Sequence, residues 1–170
     1  MPAKPRHTSS KTWSKLRSEI EAVLKKLEID PKSFIPLNLN QWQVVQEKIE
    51  RKFFKNRPFG NGKDIPWNDI KCDDKILGNS NTFNAAVKTL EQHIDKEESI
   101  YFFINERVNE KMKYWFYESK IPVIIKVINE LYNLKDIYLS SKKYDWLIHI
   151  NEYNMVIIAG ETNDKTAPNT

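Results

Sequence analysis

Cysteine, histidine and glycine are the scarce residues of this chain, and each scarcity removes a class of chemistry. The one cysteine, Cys72, can close no internal disulfide and build no cysteine-rich zinc site, which points to a reducing, cytoplasmic setting. The acids Asp69, Asp73 and Asp74 around it disfavour a thiolate, so it reads as no nucleophile. The three histidines, His7, His93 and His149, show no metal-ligand spacing such as His-x-x-x-His. Of the four glycines, two stand in Gly60-Asn61-Gly62-Lys63, but the spacing is too tight for a phosphate loop and Asp64 follows where Ser or Thr is required. A turn is the simpler reading. No run approaches the roughly 18 apolar residues of a membrane span. Met1 to His7 lacks the apolar core of a secretion signal. Nothing in the chain points to a cofactor.

Charge and aromatic surface are what the 170 residues do hold. Residues 1–63 carry 14 Lys/Arg against 6 Asp/Glu, whereas residues 64–170 carry 13 against 17, so a basic first part precedes a mildly acidic second part. Five Trp, seven Tyr and eight Phe are more aromatic surface than one buried sheet face needs.

Periodicity sorts the chain into a basic, disordered lead-in (1–9), one α+β domain (10–160) and a disordered tail (161–170). Trp13, Leu16, Ile20, Val23, Leu24 and Leu27 predict a helix from about Ser10 to Leu27, capped by Ser9 or Ser10. Trp42, Val45, Ile49 and Phe53 predict a second helix from Asn40. Phe83, Ala86, Val87, Leu90 and Ile94 predict a third over Thr82–Ile94. Between these two helices, residues 55–81 hold two prolines and three glycines, yet a structureless loop of that length is uncommon in a compact domain. A short helix or extended piece around Ile65–Ile76 is expected to pack on the core. From Ile100 onward the order is β-β-α-β-β-β, predicting a mainly antiparallel sheet of about five strands. Its helix opens at Pro122 with Ile121, Ile124, Ile125, Ile128, Leu131 and Tyr132 inward, and Asn105–Lys111 is expected to be the loop of the first hairpin. If the helices cover one face of the sheet, aromatics on the other face are free to meet a partner.

Two catalytic readings are weak. Glu118-Ser119-Lys120 resembles the acid-x-lysine of magnesium-dependent nucleases, but that chemistry needs a second carboxylate and Glu106 is expected in the hairpin loop. By strand alternation His149 shares a face with Asp145 and Leu147, where it would bind a partner or move a proton if exposed.

Ile100-Tyr-Phe-Phe-Ile-Asn, Tyr114-Trp-Phe-Tyr-Glu, Ser141-Lys-Lys-Tyr-Asp-Trp-Leu-Ile and the Gly160-Glu161 ending resemble an uncharacterised bacterial family of small intracellular proteins, immunity-like and associated with polymorphic toxins. Members of that family carry a Cys and a His-His-Asp stretch after the Trp-Leu motif. His149 and Glu152-Tyr153-Asn154 stand at those places here, so no catalytic residue carries over. The resemblance implies a non-enzymatic protein-binding role.

The expected function is therefore that of an immunity or antitoxin-like protein occluding a toxin. Tyr117, Glu118, Tyr144, Asp145, His149, Glu152 and Tyr153 are the candidate contacts, with no metal and no membrane involved. Nucleic-acid binding through Lys11, Lys15, Arg17, Lys48, Arg51, Lys52, Lys55 and Arg57 is the alternative, and the nuclease reading comes third.

Overall fold

Along the chain the elements are α1 (Lys15–Lys26), β1 (Phe34–Pro36), α2 (Leu39–Phe53), β2 (Lys75–Asn79), α3 (Phe83–His93), β3 (Ser99–Val108), β4 (Lys111–Lys120), α4 (Ile121–Glu130), β5 (Ile137–Ser141), β6 (Trp146–Ile150) and β7 (Met155–Gly160). They come from a computed structural model that describes residues 14–55, 70–71, 75–79, 81–108, 111–132, 134 and 136–161. The lead-in up to residue 13, the tail from residue 162, Gly60–Lys63 and Cys72 lie outside the described residues.

Local chemistry sets the helix ends. Ser14 caps α1 by accepting from the Arg17 amide, so the helix starts four residues later than a Ser10 cap predicts. Asn38 and Gln41 form a reciprocal capping box at α2, and Thr82 accepts from the Ala85 amide at α3. Pro122 stands in the first turn of α4, where its missing N–H costs nothing.

All strand pairs are antiparallel, in the spatial order β1-β4-β3-β5-β6-β7-β2. The α+β class and the β-β-α-β-β-β order agree with the sequence, and the sheet gains an edge strand on each side. Both additions, β1 and β2, come from segments whose prolines or glycines mask a strand pattern. Pro36 is tolerated because β1 is an edge. β3 and β4 also run on to Val108 and Lys111, so Glu106 belongs to a strand and not to a loop.

Side-chain alternation divides the sheet into two cores. On one face Ile100, Phe102, Ile104, Tyr117, Ile137, Leu139, Trp146, Ile148, Ile150, Val156 and Ile158 pack beneath α1, α3 and α4. On the other Phe103, Phe116, Tyr138, Leu147, Ile157 and Ala159 pack beneath Val45, Ile49 and Phe53 of α2, with Phe54 and Ile70 joined to them. Full burial of each such side chain contributes about 1.5–3 kcal/mol. The second face is thus not open, which corrects the picture of helices on one side only. The reason is that α2 lies across the sheet from the other three helices, a matter of chain path that its own periodicity does not encode. One residue of α4's flank departs as well: Tyr132 is 82% exposed, because the helix ends at Glu130 and the chain turns before that ring can reach the core.

Candidate functional site

The surface feature with the most chemistry is the corner where β1 leaves β4 and α2 begins. β1 follows β4 for three residue pairs, Phe34 with Ser119, Ile35 with Glu118 and Pro36 with Tyr117. The Leu37 amide then donates to the Phe116 carbonyl at 2.9 Å, and the chain turns at Asn38 into α2. Beside that departure lies a cavity of ≈690 Å³ whose walls include Leu39, Trp42 and Gln46 of α2, Leu37 of the turn, and Met112 to Tyr117 of β4. Arg17 closes it on the α1 side, its guanidinium 5.1 Å from the centre of the Trp115 ring. Three apolar side chains stand exposed around the corner: Ile35, Leu39 and Val44.

A second, smaller hollow of ≈430 Å³ adjoins it and is lined by Asn38, Val44, Lys48, Tyr101, Glu118 and Tyr144, among others. Tyr144 has a left-handed backbone (φ 60), uncommon for a residue with a side chain. Its ring lies 6.0 Å from Tyr101, and the Lys48 ammonium sits 5.2 Å from its centre. Burial and the hydrogen bond to Tyr101 both push the Tyr144 hydroxyl pKa up. Glu118 accepts from Lys142 at 2.5 Å and from Ser99 at 2.9 Å. Partial burial alone would raise its carboxyl, but those partners outweigh it and hold the group below the ordinary carboxylate range.

Beneath the corner runs a row of stacked rings fixed by strand register. His149 pairs across with Tyr138, Tyr138 with Phe103, and Phe103 with Phe116. The successive centroid separations are 4.3, 4.8 and 4.6 Å, with planes within 17° of parallel. Trp42 of α2 extends the row at 6.1 Å from Phe116, so it links the cavity wall to the middle of the sheet. His149 Nε2 is 2.9 Å from Asp136 Oδ1.

On the opposite face Glu106 gathers donors from three directions. Its carboxylate accepts from the Leu16 amide at 3.0 Å, from Trp115 Nε1 at 3.0 Å and from the Ser14 hydroxyl. Burial raises this carboxyl, yet the bonds from Ser14, the Leu16 and Lys15 amides and Trp115 win and keep it low. A carboxylate at the start of α1 also answers the helix dipole.

A family model matches residues 12–169, nearly the whole chain. The chain belongs to the family of unknown function DUF6756. No curated protein and no solved structure matches it.

In this DUF6756 chain the seven residues expected to meet a partner do not form one patch. Tyr117 is 4% exposed beneath α1, where burial pushes its hydroxyl up to about 12. His149 is 2% exposed beneath the second layer. Both are corrections: alternation gives a residue's face, whereas these faces are covered by helices. Glu118 and Tyr144 do come together in the smaller hollow. Asp145 is exposed at the β5–β6 turn, and Glu152 and Tyr153 are exposed at the β6–β7 turn, where Asn151 accepts from the Tyr153 and Met155 amides. Glu106 and Glu118 point to opposite faces of the β3–β4 hairpin, so they cannot share a metal, and Lys120 is paired with Glu97. Of the basic residues, Arg51 is paired with Glu47, and Lys15 lies 3.8 Å from Glu19. Among the described residues no three His, Cys, Asp or Glu side chains group as metal ligands, and no helix is long and apolar enough to cross a membrane.

Sequence reasoning missed Leu39 and Val44 as surface residues. The available signal was small but present: Val44 stands next to Val45 and falls off the Trp42-Val45-Ile49-Phe53 stripe, so it cannot face the sheet with them.

Proposed function

We propose that the chain is a protein-binding module of the immunity or antitoxin type, which neutralises a bacterial toxin by covering it. The observation that carries the reading is the β1–α2 corner. There Ile35, Leu39 and Val44 stand exposed around an aromatic-walled cavity, with Lys48, Glu118 and Tyr144 beside it. Exposed apolar groups rimmed by charge suit a protein interface. The tyrosine and tryptophan rings, already held by ring contacts with Phe116, Tyr101 and Tyr138 and by Arg17, lose little freedom on binding. The resemblance of the sheet-half motifs to toxin-associated proteins favours a toxin as the partner. The contacts move from the sheet face to this corner, with Glu118 and Tyr144 retained from the residues first suggested.

Co-expression tests the reading. Each gene adjacent to this one is expressed alone and together with the chain. One product should be toxic alone, tolerated in company and recovered with the chain at one-to-one stoichiometry. Leu39→Glu and Val44→Glu should abolish both protection and complex. Absence of any toxic neighbour, or protection undiminished in both variants, sinks it.

A further inference from the structure

We infer that the corner receives its partner as an added β-strand: an extended, acidic segment of another protein that pairs with the edge of β4 beyond the end of β1. The inference rests on the protein-binding reading above and adds the mode of docking and the chemistry of the segment.

The edge is set up by the sheet itself. Among the described residues the β1–β4 pairing stops at Tyr117, and one further bond joins Leu37 to the Phe116 carbonyl. β4 nevertheless continues to Lys111, paired to β3 on its inner side for the whole length. On its outer side no described strand accompanies Lys111–Lys113. In an antiparallel ladder every second residue directs both its N–H and its C=O to the same side. Phe116 directs its carbonyl outward to Leu37, so Met112, four residues back, directs its own groups outward as well.

The cavity then supplies what an added strand needs beyond backbone bonds. Its walls come from both faces of β4: Tyr114, Phe116 and Trp42 on one, Trp115 and Arg17 on the other. Alternate side chains of an incoming strand would fall into one wall and then the other, the arrangement that gives strand addition its specificity.

Charge selects the occupant. The charged lining residues described are Arg17 and Lys113, and Lys111 stands exposed just beyond. Glu106, which stands opposite Lys113 across the hairpin, accepts from Ser14, Leu16 and Trp115. A second copy of this chain laid edge to edge would bring lysines against lysines, the device by which sheets resist self-pairing. A strand carrying Asp or Glu at alternate positions meets complementary charge instead.

The test uses the full chain and random twelve-residue peptides displayed on phage. Selection should enrich sequences alternating apolar residues with Asp or Glu, and these should bind as synthetic peptides. Met112→Pro removes the outward N–H at a position where an edge strand tolerates proline. It should weaken peptide binding at least tenfold with an unchanged circular dichroism spectrum. Lys111→Glu combined with Lys113→Glu, which leaves the backbone alone, should do the same and decides the matter if the proline variant fails to fold. No enrichment, enriched peptides without acids, or binding unaffected in the folded variants overturns the proposal. None of these results depends on a toxin, so they leave the neutralisation assay standing. Enriched acidic peptides beside a failed neutralisation assay would remove the protective role and keep the edge.

Discussion

His149 lies flat against Tyr138, their ring centroids 4.3 Å apart and their planes within 3°. The same imidazole reaches Asp136 through Nε2, so one buried side chain serves both a stack and a hydrogen bond. Its other nitrogen, Nδ1, is buried with no hydrogen-bond partner among the described residues.

Two substitutions separate the stack from the bond. His149→Phe keeps a ring on Tyr138 and loses the link to Asp136, which should cost about 1–3 kcal/mol. His149→Ala loses both and leaves a cavity, for about 3–5 kcal/mol in total. Urea unfolding of both variants measures the split. Equal losses would mean that the ring stack contributes nothing beyond the bond.

Gly160 has no room for a side chain. Its φ is +85, and a Cβ there would lie 2.1 Å from the Asp145 carbonyl oxygen, which also accepts from the Glu161 amide. Gly160→Ala should cost more than the ~1–2 kcal/mol of the left-handed conformation alone, because the β6–β7 edge must shift. Thermal unfolding should show a drop of at least several degrees. A melting temperature unchanged by the substitution would mean that this end of the sheet gives way freely.

Acid should destabilise the fold through Glu106 and Glu118. Both carboxyls are held below their ordinary values in the folded chain, so the unfolded chain binds more protons as pH falls. The stability they contribute is complete above the unfolded glutamate value of about 4.3 and is lost as pH drops through the lower folded values. Glu106→Gln should be less stable than the parent at pH 7, lose less on acidification, and converge with it in strong acid. Parallel stability curves for parent and variant across that range would contradict the role given to this carboxylate.

The corner residues should behave oppositely to the core. Leu39 and Val44 are exposed, so Leu39→Glu and Val44→Glu should change stability by no more than about 0.5 kcal/mol. Denaturation midpoints check this directly, and a large loss would show that the two side chains support the fold rather than a partner.

The sequence alone determined the helices, the antiparallel strands of the second half and most of the residues that face inward within them, though it set Tyr132 inward, Tyr117 and His149 outward and Glu106 in a loop. The reason is that periods of 3.6 and 2 are local properties, legible wherever apolar residues repeat. The stripe on α2 named Val45, Ile49 and Phe53 as buried, and they are. It carried no information on which sheet face they cover. Only the tertiary structure decided that α2 crosses to the second face. That placement brought Lys48 of α2 beside Glu118 and Tyr144 in one hollow and left Leu39 and Val44 outside. Glu106 makes the same point over a longer reach, since its partners Ser14 and Leu16 stand some 90 residues away in the chain. Contacts of that kind have no periodic trace. They depend on where chain reversals bring distant elements together, and here they set helices against both faces of the sheet.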